Sequence, residues 1–437
     1  MAKRIEPRVL KGFRDFLPAQ ELERKRIIQI LESTFESFGF VPIDTPILEY
    51  AEVLLGKGGG ETDKQVYRFT DHGGRDVAMR YDLTVPFARF MAANRSALYL
   101  PFKRYHISRV FRGENTQRGR YREFVQCDFD TVGTDSHSAD FEILLLMRRS
   151  LLALGVERFT IRLSHRGIFN RFLDHIGMSA RSADVLRTVD KLAKIGRDGV
   201  REQLSELAGA ENTERILEYI TAGGGFEETL SKIETLAGGP GDDTRRLAAL
   251  RNCMRELGVD GTYVLDPSIT RGLDYYTGIV FETFLDELPT IGSVCSGGRY
   301  NNLASLYTNE EIPGVGASIG LDRLLAALEE LGRKPERAGR TEVIVFCMDE
   351  SLIASYHRTA EFFRDAGIAC EVYPEAKKLA QQFSFAEKKD IPLGIFIGPD
   401  ESASGTVTLK NLSTRESFER ILPAEAVSRA RELLGRV

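Results

Sequence analysis

Arg271, Asp274, Tyr275 and Tyr276 open the stretch RGLDYYTGIVFE (271–282), whose tail, Ile279–Val280–Phe281, is apolar. A half-buried strand normally alternates apolar with solvated polar residues along its length. Here a cation, an acid and two phenols crowd one end, a set of groups suited to gripping a polar ligand. Three other stretches carry comparable sets. In RYREFVQCDFDTVG (120–133), read as a strand, Glu123, Val125, Cys127 and Phe129 share a mostly apolar face, hence core. The opposite face holds Arg122, Phe124, Gln126, Asp128 and Asp130. A solvated outer face is the common case for such a strand, yet Phe124 fits a pocket better, where its ring can stack on a planar ligand. AMRYDLTVPF (78–87) repeats the pattern: read as a strand, it puts Arg80, Asp82 and Thr84 on one face and Met79, Tyr81 and Leu83 on the other. In YHISRVFRGENTQRGRYREF (105–124), a strand at Phe111–Arg112 runs into a polar loop with Gly119 near its tip and then into a return strand. Arg112, Arg118, Arg120 and Arg122 are close together there, and arginine grips phosphate bidentately and stays charged. Taken alone, the run fits a solvated basic hairpin equally well.

PGVGASIGLDRLLAALEEL (313–331) has the glycine richness of a dinucleotide fingerprint, which would make the chain a nicotinamide oxidoreductase. That fingerprint needs a hydrophobic strand before its first glycine and a helix opening inside it. Turn-like YTNEEIP precedes Gly314 instead. The strand is better placed on Val315–Ile319, with glycines inside it, and strand glycines mark close approach of another group to the backbone. Arg323 then falls in the first turn of the following helix. GKGGGE (56–61) is no phosphate loop, because its lysine is misplaced and no Ser or Thr follows; a mobile surface loop is expected there.

These groups must be held by a chain of 437 residues, too long for one compact core and suited to two or three domains. With 42% hydrophobic and 28% charged residues the composition is globular. The five cysteines are scattered without a C-x-x-C pair, which argues against a disulfide framework and a zinc site and suits a reducing cytosol. The N-terminal MAKRIEPRVLKGFRDF lacks the apolar core of a secretory signal, and no run approaches the ~20 apolar residues of a membrane span. A net charge of −5 gives no global basic footprint for nucleic acid but leaves room for local ones. Helical spacing appears over 19–38, with Ile27, Ile30, Leu31, Phe35 and Phe38 on one stripe, and over 140–155. From about 66 to 135 short strand-like runs alternate with turns. A helical insertion is expected over about 170–256, strands to about 320, and a helix closing a first domain at 335. After a charged linker (336–340), strands and helices alternate through 341–437, predicting an α/β domain with a largely parallel sheet.

In this order, the stretches resemble a class II aminoacyl-tRNA synthetase, specifically the histidyl-tRNA synthetase family. GFRDFLP (12–18) is similar to the family's N-terminal signature, the Phe111–Phe124 hairpin to the second class II motif and GVGASIGLDR (314–323) to the third. RGLDYYTG (271–278) and SGGRY (296–300) resemble the two histidine-specific motifs. The resemblance runs nearly end to end. It implies an α+β fold, with an antiparallel catalytic sheet carrying the helical insertion and a C-terminal α/β anticodon-binding domain, in a cytoplasmic homodimer. Asp82 and Asp130 stand where the bacterial form often has Glu, and the ENTQRG loop lacks a proline often seen there.

The implied chemistry joins L-histidine to ATP, with Mg²⁺ bound to the nucleotide and no zinc, and then passes histidine to tRNA(His). The substrate carboxylate is the nucleophile, so the protein has only to align two anions and stabilise charge. The resemblance places Arg112 on the α-phosphate, Arg323 on the γ-phosphate, Phe124 on adenine, and Glu114 at its exocyclic amine or near the tRNA end. Arg120 joins the ATP contacts, and Arg271 is an extra catalytic arginine near the α-phosphate. Asp82, Thr84 and Gln126 would hold the α-ammonium group, with Asp130, Tyr275 and Tyr276 around the imidazole. No metal-ligating side chain is implied. Lys377, Lys378, Lys388 and Lys389 are candidates for the anticodon stem and equally for solvated helix faces. A non-catalytic regulatory paralogue of ATP phosphoribosyltransferase is the competing reading; it typically lacks the C-terminal domain.

Overall fold

A computed structural model of the chain describes residues 4–56, 65–270, 275–333 and 339–436. The expected loop at 56–61 therefore lies almost wholly outside the described residues, as do Arg271 and Asp274. Two compact units partition the chain, Met1–Asp15 with Arg26–Arg333 and Phe16–Lys25 with Lys334–Val437.

In chain order the strands of the first unit are β1 (Val41–Pro42), β2 (Leu48–Tyr50), β3 (Arg68–Thr70), β4 (Asp76–Met79), β5 (Phe102–Phe111), β6 (Glu123–Val132), β7 (Phe159–His165), β8 (Tyr263–Leu265), β9 (Ile279–Leu285), β10 (Cys295–Tyr300) and β11 (Gly314–Gly320). Eight of them form one sheet in the order β1-β5-β6-β11-β10-β9-β7-β8. All neighbours are antiparallel except the edge pairs β1·β5 and β7·β8. Strand alternation decides its two faces. Val125, Cys127 and Phe129 of β6 and Val315, Ala317 and Ile319 of β11 join the buried core beside Ile27, Leu31 and Phe35 of the helix Pro18–Ser37 and the apolar stripe of His137–Ala153. Phe35 and Phe129 meet at 4.9 Å between ring centroids. The opposite face of the sheet is polar. Between β7 and β8 the chain is helical, with main helices Arg166–His175, Ser182–Val189, Leu192–Tyr219 (broken at Gly196 and Gly209, which leave helical geometry), Phe226–Leu236 and Asp242–Glu256.

The strand expected over 78–87 stops at Met79, and a helix, Thr84–Ala93, follows. Pro86 sits in that helix's first turn, where its missing N–H costs nothing. Asp82 Oδ1 accepts from Val85 N at 3.2 Å, so the acid satisfies a helix N-terminus rather than standing on a pleat. Val85, Phe87, Ala88 and Met91 then bury the helix.

The second unit adds β12 (Val343–Val345), β13 (Cys370–Val372), β14 (Leu393–Phe396), β15 (Val407–Asn411) and β16 (Ser417–Ile421), in the order β13-β12-β14-β15-β16. β13, β12 and β14 are parallel, as expected, but β15 and β16 pair antiparallel, so the sheet is mixed. Residues 397–406 are too few for the crossover that a parallel β15 needs, about a dozen or more. Buried Gln382 ties this unit together: its Oε1 accepts from Cys347 N at 2.9 Å, and its Nε2 donates to Cys347 O and Lys377 O at 2.6 and 2.7 Å. Lys377 and Lys389 are paired with Glu375 and Glu371.

Candidate active site

Strand register lays the polar face out in rows. Arg104, Asp130, Gly316 and Gly298 stand side by side on β5, β6, β11 and β10. In the next row stand His106, Asp128, Ser318 and Ser296, and in the next Ser108, Gln126 and Gly320. The face thus runs from charged groups at one end to an open cavity at the other, with Gln126 and Ser318 reaching that cavity.

At the charged end Asp130 is 2% exposed. Its Oδ1 accepts from the Tyr300 hydroxyl at 2.5 Å, and its Oδ2 lies 2.8 Å from Arg104 Nη2. Burial raises its pKa; Arg104 and the Tyr300 hydroxyl oppose the rise. Arg104 is wholly buried, with its guanidinium 4.2 Å from the centre of the Phe87 ring. Asp82 comes to the same place from the turn before Thr84–Ala93, its Oδ2 accepting from Tyr275 at 3.3 Å. Burial pushes Asp82 up to about 6, against the Val85 N–H, Arg112 and Tyr275. Thr84 lies beside the Tyr275 phenol, which burial next to Asp82 drives well up. Tyr276 packs edge-on to Tyr275 at 5.0 Å, and burial beside Asp130, Asp128 and Asp82 drives its phenol well up. Among the predicted residues, Asp82, Thr84, Asp130, Tyr275 and Tyr276 are therefore gathered around one point.

Room for this cluster comes from the strand glycines. A Cβ on Gly316 would lie 1.9 Å from Asp130 Oδ1, and one on Gly314 would lie 2.6 Å from the Tyr300 ring. The expected strand on 315–319 is present as Gly314–Gly320, and the glycines serve close approach.

Around the cavity stand Arg112, Glu114, Arg120, Phe124, Gln126 and Arg323. Arg112 Nε donates to Tyr81 O at 2.8 Å, and its guanidinium sits 5.2 Å from the Phe124 ring centre. Glu114 is paired with Arg120 at 2.5 Å and lies 3.8 Å from Arg112 Nη1. Arg323, in the first turn of the helix Leu321–Glu330, donates to Ser293 O at 2.6 Å. The hairpin tip is a turn closed by Gln117 and Arg120 in both directions. Gly119 takes φ +69° there, bringing the tip to within 3.2 Å of Arg323 Cα for any added Cβ. Arg122 braces the hairpin, with its Nε on Glu114 O at 3.1 Å and its N–H on Gly12 O at 2.8 Å.

Arg104, Asp128, Tyr300 and Arg14 escaped the site prediction. Arg14 pairs with Asp322 Oδ1 and stacks on Tyr121 at 3.8 Å, while Asp322 Oδ2 accepts from Val125 N at 2.7 Å. Tyr300 and Arg14 lie in the quoted motifs SGGRY and GFRDFLP, and Arg104 alternates with His106 on the strand facing Asp130 and Asp128. Among the described residues no group of three or more His, Cys, Asp or Glu is placed to hold a metal ion, and no helix is long and apolar enough to cross a membrane.

An antiparallel sheet with arginines on a hairpin and on the strand–helix beside it, facing a cavity that continues into a buried acid cluster, defines a class II aminoacyl-tRNA synthetase. A family model described as histidyl-tRNA synthetase matches residues 12–324, and one described as anticodon binding domain matches 342–433. The chain is 53% identical to a histidine–tRNA ligase of Treponema denticola, with 99% of both chains covered. It is 48% identical to one of Rhodopirellula baltica over 94% of this chain and 95% of that one. A crystal structure of histidyl-tRNA synthetase from Nostoc sp. PCC 7120 superposes with a TM-score of 0.86 at 31% identity, covering 99% of this chain and 100% of that one. The chain belongs to the histidyl-tRNA synthetase family. Nothing in these likenesses supports the regulatory-paralogue reading.

Proposed function

We propose that this chain acts as a histidine–tRNA ligase in which one sheet face binds both activation substrates. The observation that carries this reading is the continuity of the face: an arginine-lined cavity at Gln126 gives way, two rows along, to Asp130 held between Arg104 and Tyr300. ATP, with Mg²⁺ bound to it, occupies the cavity. Phe124 stacks on adenine, Glu114 meets its exocyclic amine, and Arg112, Arg120 and Arg323 hold the phosphates, Arg112 at the α and Arg323 at the γ position. Histidine takes the acid cluster. Its imidazole N–H donates to Asp130, with Tyr275 and Tyr276 around the ring, and its α-ammonium group meets Asp82, Thr84 and Gln126. A site built from hydrogen bonds to its ligand rejects analogues lacking them by on the order of 10⁴.

The histidine carboxylate oxygen attacks the α-phosphorus of ATP, forming the acyl–phosphate bond as the bond to pyrophosphate breaks. Arg112, within reach of both cavity and Asp82, neutralises the added charge, and Arg271 assists. A hydroxyl of the terminal ribose of tRNA(His) then attacks the carbonyl carbon of the adenylate, forming the ester as the acyl–phosphate bond breaks and AMP leaves. Residues 1–335 form the catalytic domain, with its insertion at about 170–256, followed by the 336–340 linker and the anticodon-binding domain at 341–437. The active form is a cytoplasmic homodimer.

Pyrophosphate exchange into ATP, run with each of the twenty amino acids and no tRNA, tests the reading. Exchange with histidine alone is expected. Histidine binding without exchange would overturn it.

A further inference from the structure

Asp128 stands between the two substrate ends of the face and has no role in the scheme above. It is 2% exposed, and its Oδ1 is buried without a hydrogen-bond partner among the described residues. Buried polar atoms are nearly always partnered, so an orphan on a ligand-binding face points to a ligand group. A second orphan stands two residues away on the same face, Gln126 Oε1. Ser318 fixes the orientation of Gln126, whose Nε2 donates to its Oγ at 2.8 Å, and register sets Ser318 directly beside Asp128, where it favours the ionised carboxyl. That bond commits one N–H of the Gln126 amide to Ser318 and leaves its carbonyl oxygen without a partner among the described residues. Asp82 lies within electrostatic reach of Asp128. Two unpartnered acceptors and a neighbouring carboxylate match an ammonium group, which has three N–H donors and no acceptor.

We propose that Asp128 is a third carboxylate of the amino-acid site, a specificity-determining residue that receives the substrate's α-ammonium group together with Gln126 Oε1 and Asp82. This rests on the reading of the face as a histidine-activating site and adds to it a residue that selects for the free amino group.

The surroundings of Asp128 give the assignment a pH signature. Burial, with Asp130 and Asp82 nearby, pushes its carboxyl up to about 7, against Arg104 and Ser318. Arg80 is a second buried cation in its field. The titratable groups His106, Tyr276 and Cys295 also face it, from β5, the segment before β9, and β10. Burial beside Arg104 and Arg80 holds His106 neutral, down to about 3, and the phenol and thiol are pushed upward, so these three keep one form near neutrality. An arriving ammonium group favours the ionised carboxylate. Histidine binding near pH 7 therefore releases a proton, and affinity falls as pH drops through about 7.

The test compares wild type with D128N in binding histidine and its des-amino analogue, imidazolepropionate. Calorimetry is done at pH 6 and pH 8, in buffers of different ionisation enthalpy. Asparagine keeps the shape and cannot titrate. Loss of a charge-assisted acceptor should weaken histidine binding by D128N about 10- to 100-fold at pH 8, and less at pH 6. Imidazolepropionate, which carries the same imidazole, should bind both proteins equally, and the buffer-dependent proton release should fall in D128N to the part that Asp82, pushed up to about 6, still supplies. Equal losses for both ligands would make Asp128 merely structural and overturn the assignment, as would wild-type histidine affinity in D128N at pH 8. Wild type that binds no histidine would overturn the underlying reading, and this assignment with it. Should D128N misfold, D128E, which keeps the charge, must retain proton-linked histidine binding; loss of that linkage in a folded D128E overturns the proposal.

Discussion

Gly316→Ala is the sharpest perturbation of the site, because the structure fixes what one methyl group would strike. Its carbon would lie 1.9 Å from Asp130 Oδ1 and 2.3 Å from Asp130 Cγ. Nonbonded carbon contacts sit at about 3.5–4.0 Å, so the shortfall is roughly 1.5 Å. The carboxyl cannot swing aside, since Tyr300 holds one oxygen at 2.5 Å and Arg104 lies 2.8 Å from the other, all three buried. Moving it strands a buried acid and a buried guanidinium, a loss of about 3–5 kcal/mol. Backbone strain adds nothing, because Gly316 does not have a positive φ. Part of that cost should appear as lowered stability and the rest as loss of histidine binding. A loss of ~3 kcal/mol in binding alone corresponds to a KM raised about 100-fold.

Gly320→Ala is the control on the same face of β11. Its Cβ would meet nothing closer than Arg323 Cβ at 3.9 Å, at the rim of the cavity. Urea unfolding and pyrophosphate exchange, with histidine and ATP varied separately, read out both variants. G316A should lose stability, histidine affinity or both while the ATP KM hardly moves. G320A should fold like wild type, with any loss confined to ATP. A G316A protein with unchanged unfolding midpoint and unchanged histidine KM would refute the packing of Asp130 against β11.

Phe124→Ala should raise the ATP KM about tenfold, the scale of one base–aromatic stack, and leave the histidine KM alone; Phe124→Tyr should keep the stack, and equal effects on both substrates would remove Phe124 from the adenine site. His165 caps the helix Arg166–His175, its Nδ1 accepting from Gly167 N at 3.1 Å, and burial pushes it down to about 4, with Arg246, Arg299 and Arg171 adding to the shift against Asp243. The unfolded chain takes up that proton near pH 6.5, so stability is full above about 6.5 and is lost as pH falls toward 4, by up to ~1.4 kcal/mol per pH unit. His165→Asn keeps a capping acceptor without the titration; its urea midpoint should fall less between pH 7 and pH 5 than that of wild type, and identical slopes would sink the argument.

Period-two alternation made the polar face of β6 legible, because Gln126, Asp128 and Asp130 interleave with core Val125, Cys127 and Phe129. The same logic misled at 79–84, where Arg80, Asp82 and Thr84 alternate as cleanly with Met79, Tyr81 and Leu83. There Tyr81 and Leu83 are buried by a tight turn and a helix start, with Arg80 and Asp82 buried alongside them, and alternation cannot tell that from a pleat. Ser417–Ile421 went unread as a strand because it is a sheet edge with no buried side chain, leaving no apolar rhythm.

What alternation cannot supply is the partner across the sheet. Arg104 reads as one more basic residue until register sets it beside Asp130, and Gly316 reads as half of a nucleotide fingerprint until register sets it on Asp130's other side. Arg14 reaches Asp322 across 308 residues, and Asp322 in turn holds the start of β6, so the N-terminal signature braces the strand that carries both substrate ends. The local motifs thus named nearly all the residues that touch substrate in the proposed scheme. The residues that set their charge and position are coupled through pairings remote in sequence, and Asp128 falls in both groups. It lies in the most legible strand of the chain, yet its orphaned oxygen appears only once β11 places Ser318 against it and β5 places His106 on its other side.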